Sequence, residues 1–123
     1  MNILVIEDDA QVKLMLRLAL EKKGHTVCEA GDGVEGRAVV EAQAVDLVIT
    51  DIFMPNEDGM IAISRIKKDW PRIKILAISG GAPGGSFDFL PVAQALGADE
   101  VLHKPFSTED LFQALTRLLP PPA

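Results

Sequence analysis

The 123-residue sequence predicts an α/β fold, a five-stranded parallel sheet with helices packed on both of its faces. Three observations carry that prediction. Short apolar runs rich in β-branched residues recur along the chain without alternating with polar residues, as strands buried on both faces should read. Stretches of helical apolar periodicity separate those runs. Strand and helix signals then alternate five times, which demands parallel pairing through right-handed crossovers.

The first strand is read at Ile3-Leu4-Val5-Ile6. In the first helix Val12, Met15, Leu16 and Ala19 recur at helical spacing, Leu14 and Leu18 widen the stripe, and Gly24 stops it. Thr26-Val27-Cys28 is a weaker second strand, and Val34 to Gln43 a shorter second helix. Leu47-Val48-Ile49 forms the third strand. The third helix runs from Met60 to Trp70 with Ile63 and Ile66 on one face, and Pro71 closes it. Ile73 to Ile78 is the fourth strand, Ser86 to Leu96 the fourth helix, and Glu100-Val101-Leu102 the flanking fifth strand. Ser107-Thr108-Glu109-Asp110 opens the last helix with a Ser cap and an acidic first turn. Leu111, Leu115 and Leu118 line that helix before Pro120-Pro121-Pro122 ends it. The expected architecture is a flavodoxin-like three-layer α/β/α sandwich of strand order 2-1-3-4-5 with five helices. It forms one domain over residues 1–119, followed by a proline-rich tail at 120–123.

Composition narrows the function. Twelve basic against 18 acidic residues give a net charge of −6, which argues against direct nucleic-acid binding. Lys22-Lys23 and Lys67-Lys68 stand near helix ends, where cations are favoured anyway. A single cysteine, Cys28, excludes a disulfide scaffold and a Cys-based zinc site, and reads as a small core residue. No apolar run is long enough to span a bilayer. The first residues carry no basic flank and meet Glu7-Asp8-Asp9 at once, so a cytoplasmic protein is expected.

In a sheet of this order the functional crevice lies outside the carboxyl ends of the strands, beside strands 1 and 3. Glu7, Asp8 and Asp9 follow strand 1, Asp51 follows strand 3, Ser79 follows strand 4, and Lys104 follows strand 5. Acids gathered this closely repel one another, and a divalent cation with a nearby lysine relieves that repulsion. An oxygen-only donor set suits Mg²⁺. A carboxylate there can attack phosphorus, while Mg²⁺ and Lys104 neutralise charge on the moving phosphoryl oxygens and Ser79 donates to one of them. Asp9 reads as the cap of the first helix. His25 and His103 read as surface residues, and Trp70 as packing.

These residues carry a resemblance. Ile3-Leu4-Val5-Ile6-Glu7-Asp8-Asp9, Asp51-Ile52-Phe53-Met54-Pro55-Asn56-Glu57-Asp58-Gly59, Ser79 and Lys104-Pro105-Phe106 together resemble the receiver domains of two-component response regulators. The likeness spans nearly the whole chain. It implies that Asp51 accepts a phosphoryl group from a histidine kinase or histidine phosphotransfer protein. It also implies that Glu7, Asp8, Asp51 and the Phe53 carbonyl hold Mg²⁺, and that the Lys104–Pro105 bond is cis. The output face it implies is built from the fourth and fifth helices with the last strand. Receivers often carry an aromatic residue three positions before the lysine; here that residue is Val101. The glycine-rich stretch 80–85 is expected to be mobile and partly ordered by phosphorylation.

The chain ends at Ala123 without a DNA-binding module, so a stand-alone regulator or phosphorelay intermediate is expected, as a monomer or weak dimer. Two alternatives are a receiver fragment of a longer regulator and a constitutive, unphosphorylated interaction module; retention of Asp51 and Lys104 counts against the latter. A flavodoxin-like redox protein needs a phosphate loop where Glu7-Asp8-Asp9 stand. A phosphatase wants a second acid at the Phe53 position. The chain is therefore expected to be a self-phosphorylating switch with slow autodephosphorylation and not an enzyme acting on outside substrates.

Overall fold

The computed structural model describes residues 1–52, 59–79 and 90–118. Five strands and five helices alternate: β1 (Asn2–Ile6), α1 (Ala10–Lys22), β2 (Thr26–Ala30), α2 (Gly33–Ala42), β3 (Leu47–Asp51), α3 (Gly59–Asp69), β4 (Lys74–Ser79), α4 (Leu90–Leu96), β5 (Glu100–His103) and α5 (Thr108–Leu118). The strands form one parallel sheet of order β2-β1-β3-β4-β5, as the sequence predicts. The register places Ile6 beside Thr50 and Asp51 beside Ile78.

Because side chains alternate along each strand, the sheet divides the core in two. Ile3, Val5, Ile49 and Ile78 face α1 and α5, whereas Leu4, Ile6, Val48 and Ala77 face the helices on the other side. Both layers are fully covered, which explains why the strands read as continuous apolar runs. Local chemistry fixes the helix ends. Asp9 caps α1 by accepting hydrogen bonds from the amides of Gln11 and Val12. Ser107 and Asp110 cap α5 reciprocally, the Asp110 amide donating to Ser107 Oγ and the Ser107 amide to Asp110 Oδ2. Gly24 ends α1 at φ +90°, a left-handed conformation that glycine adopts without cost.

The structure revises several expectations. β2 reaches Ala30, β4 begins one residue later than expected at Lys74, and Asp51 and Ser79 are the last residues of their strands. Leu14 and Leu18 do not join the buried stripe of α1; they are 54% and 59% exposed. At roughly 100° per residue each lies nearly opposite Leu16, which is fully buried. Cys28 is half-buried and donates to Gln43 Oε1. Trp70 packs against the α2–α3 core as expected, and His103 is exposed. Phe53, the glycine-rich stretch 80–85, the first part of the expected fourth helix (86–89) and the 120–123 tail lie outside the described residues. Among the described residues no helix is long and apolar enough to cross a membrane.

Gly36 lets α2 approach the sheet. A Cβ there would land on Ile6 Cδ1 and come within 2.8 Å of its Cγ1, against a side chain with no exposure. Alanine at an exposed helical glycine would stabilise by roughly 1 kcal/mol. At Gly36 the sign reverses, and Gly36→Ala is expected to cost about 1–3 kcal/mol through overpacking. A thermal melt checks this; a midpoint at or above wild type would contradict it.

Candidate functional site

The carboxyl ends of β1, β3, β4 and β5 meet at one edge of the sheet, and each contributes a polar residue. Glu7 continues β1 by one step, its amide donating to the Ala30 carbonyl at 3.0 Å. Its side chain is fully buried, with Oε1 accepting from the Asp9 amide at 3.1 Å. Asp8 beside it is exposed. Asp51 ends the central strand with 5% exposure. Its backbone is held from both sides, the Ile52 amide donating to the Ile78 carbonyl at 3.1 Å and Thr50 Oγ1 to the Asp51 carbonyl at 2.9 Å. Ser79 is buried at the end of β4, and its carbonyl accepts from the Lys104 amide at 2.8 Å.

That last bond carries Lys104 into the crevice. Its Nζ lies 2.5 Å from Asp51 Oδ2 and 3.4 Å from both carboxylate oxygens of Glu7. The Lys104–Pro105 bond is cis, as the resemblance implied. Glu7, Asp8 and Asp51 each bring a carboxylate oxygen within 4.8 Å of the others. Four of the sequence-predicted site residues are thus gathered into one cluster, and Ser79 stands at the end of the neighbouring strand. Asp9 serves as a helix cap.

Two groups depart from their ordinary ionisation. Burial pushes Glu7 up from 4.5 to about 7; the Asp51 charge adds to the rise, and Lys104 and the Asp9 amide offset part of it. Burial alone would lower Lys104. The hydrogen bond and charge of Asp51, with Glu7 behind them, overcome it and hold the ammonium above its usual value. The cluster therefore resists full ionisation of its acids while keeping its cation charged.

The sign of the resulting pH dependence follows from Glu7. Between its unfolded value near 4.5 and its folded value near 7, the folded chain keeps a proton that the unfolded chain has released. Metal-free stability should thus fall as pH rises through this window, by about 1–3 kcal/mol, and level off above it. Glu7→Gln should flatten that slope. Chemical denaturation in chelator from pH 5 to 8 tests it, and equal slopes for the two proteins would sink the assignment.

Sequence reasoning missed two features. Thr50 is a buried hydroxyl in an apolar layer, and a polar residue next to Asp51 in an otherwise apolar strand was the available signal. The exposed Leu14 and Leu18 border a groove of about 450 Å³ between α1 and Thr108, while Val12, Met15, Lys104, Pro105 and Phe106 line another of about 340 Å³. Met15 lines both. A helical-wheel reading that set Leu14 and Leu18 opposite Leu16 would have found them.

Comparisons with known proteins agree with this geometry. The model of the family described as response regulator receiver domain matches residues 3–116. The chain is 38% identical over 119 residues to the DNA-binding transcriptional regulator NtrC of Azospirillum brasilense, covering 96% of this chain and 24% of that protein. It superposes on the chemotaxis protein CheY4 of Vibrio cholerae with a TM-score of 0.86 at 27% identity, over 96% of this chain and 98% of that one. The response regulator TrrA of Thermotoga maritima, solved with Mg²⁺ and BeF, gives a TM-score of 0.84 at 26% identity, with 96% and 98% covered. The chain spans from 12% to 54% of the length of the curated relatives compared.

Proposed function

The chain belongs to the response regulator receiver family, and from that premise we propose that Asp51 accepts a phosphoryl group from a histidine kinase or histidine phosphotransfer protein. The observation that carries this reading is the approach of Lys104 Nζ to Asp51 inside a cluster that also holds Glu7 and Asp8. A carboxylate oxygen of Asp51 forms a bond to phosphorus as the bond from phosphorus to the donor imidazole nitrogen breaks. The imidazole leaves with its electron pair and takes a proton. Lys104 stays charged throughout and follows the negative charge from carboxylate to phosphoryl oxygens. Ser79, at the end of the adjacent strand, donates to one of those oxygens.

An oxygen-only donor set around a buried acidic cluster fits Mg²⁺, which keeps several waters and takes few carboxylates. Glu7, Asp8 and Asp51 would hold it, with the Phe53 carbonyl completing the set. Bound there, the ion supplies charge neutralisation at the transferring phosphoryl group. The TrrA structure with Mg²⁺ and BeF supports this by analogy.

The apolar grooves beside Lys104 and the exposed Leu14 and Leu18 suit the docking of the phosphodonor protein next to Asp51. The output face is formed by α4, β5 and α5. We read the chain as a cytoplasmic switch, monomeric or weakly dimeric, that is phosphorylated and slowly dephosphorylates itself without turning over outside substrates. The NtrC likeness supports a receiver within a longer regulator, and the CheY4 likeness a stand-alone one; the stand-alone or phosphorelay role is the reading we favour.

Incubation with acetyl phosphate tests the chemistry. The expected result is a gain of one phosphoryl group by intact mass in Mg²⁺ and none in chelator. Because Mg²⁺ needs Glu7 ionised, the stabilisation it confers should also grow between pH 5 and 8. No gain with acetyl phosphate or with a phosphorylated donor protein would overturn the reading in favour of a constitutive interaction module.

A further inference from the structure

Lys67, in the last turn of α3, ties three elements together at the end of the sheet away from Asp51. Its Nζ donates to Asp99 Oδ2 at 2.8 Å and to the Ile73 carbonyl at 3.0 Å. The same Asp99 oxygen accepts from the Ile75 amide at 2.9 Å, and the Asp99 amide donates back to the Ile75 carbonyl at 2.8 Å. Asp99 lies in the short turn between α4 and β5. The stem of Lys67 packs against that turn as well. Gly97 has φ +128°, and a Cβ on it would come within 2.8 Å of Lys67 Cγ. Backbone bonds from Gly97 to Gln94 and from Ala98 to Ala93 complete the closure.

The rest of α4 is held far more lightly. It is seven residues long, and among its described side chains Ala93 alone is buried. Gln94, Ala95 and Leu96 are exposed. A helix with so little packed side-chain surface takes its orientation from its ends. One end is fastened through Lys67 and Asp99; the other follows, along the chain, from Ser79 in the candidate site. Lys67 and Asp99 side chains are each about a quarter exposed, so their pairing is not a fully solvated, screened contact.

We propose that the Lys67–Asp99 pair is the fulcrum of α4. It pins the helix at residues 97–99, so that a change at Ser79 tilts α4 about this point and leaves its C-terminal end in place. The output face would then change most at the end of α4 nearer the phosphorylation site. This inference rests on the reading of Asp51 as the phosphoacceptor, because phosphorylation is what displaces Ser79.

Amide hydrogen exchange on the full chain, with and without acetyl phosphate and Mg²⁺, tests it. In the wild type, phosphorylation should alter exchange in the earlier part of α4 and leave residues 97–99 within twofold. Lys67→Met keeps the stem against Gly97 but removes the ammonium. It should speed exchange of the Gly97, Ala98 and Asp99 amides by about tenfold or more, as loss of a charge-assisted hydrogen bond implies, and let the response to phosphorylation spread through residue 99. Labelling of Asp51 by acetyl phosphate should stay within twofold of wild type. Asp99→Asn, which keeps an acceptor for the Ile75 amide, should show a smaller change in the same direction, and Lys67→Arg should restore protection. Unchanged exchange at 97–99 in Lys67→Met and Asp99→Asn overturns the proposal, as does a wild-type response at 97–99 equal to that of residues 93–96. Failure of the wild type to label counts against the phosphoacceptor reading instead, and the comparison of unlabelled proteins still decides whether the pair pins the turn.

Discussion

Asp51→Asn is expected to abolish phosphoryl labelling by acetyl phosphate in Mg²⁺, a loss of more than about a thousandfold, as removal of a nucleophile should. The variant should fold, because asparagine occupies the same volume at the end of β3 and still presents an oxygen to Lys104. Its second effect separates chemistry from damage. The Asp51 charge and hydrogen bond both help to raise Glu7. Without that charge Glu7 should ionise at lower pH, and the fall in metal-free stability between pH 5 and 8 should shrink. Mg²⁺ should bind at least about tenfold more weakly, since one of three clustered carboxylates is gone. A variant that still labels places the phosphoryl group on another residue.

Lys104→Met is expected to move two quantities in opposite directions. The labelling rate at saturating Mg²⁺ should drop about 100-fold, the scale on which one preorganised charge acts at a developing anion. Mg²⁺ affinity should rise, because the cation held 2.5 Å from Asp51 competes with the metal for that carboxylate. Methionine keeps the length of the side chain, so β5 and the turn beyond it should remain in place. Stopped-flow labelling and a Mg²⁺ titration on the same preparation provide both numbers. A slower rate with weakened metal binding would mean that the crevice has collapsed, and the charge-neutralising role of Lys104 would fall.

Much of this molecule is legible in its sequence because both faces of the sheet are covered. A strand buried on two sides cannot alternate, so Leu4, Val5 and Ile6 announce a parallel interior strand, and the polar residue that ends each run marks the crevice. Glu7, Asp51, Ser79 and Lys104 stood out by that rule before any contact was known. What failed was of another kind. Leu14 and Leu18 looked like core, since an apolar residue does not declare which side of a helix it faces until its angle to Leu16 is counted. The pairing of Lys67 with Asp99 joins residues 32 apart in sequence, and no local pattern links them. The burial that shifts Glu7 arises from packing by elements distant in the chain, which composition does not encode.

The central claim is that the phosphoryl group resides on the carboxylate of Asp51. Labelling with acetyl phosphate in Mg²⁺, reduction with borohydride and peptide mass analysis test it most directly, because borohydride converts an acyl phosphate to the corresponding alcohol. The account predicts homoserine at position 51, formed only when Mg²⁺ and the phosphodonor are both present. Homoserine at position 8 or 9, or a phosphoryl group on Ser79 that borohydride leaves intact, would contradict it.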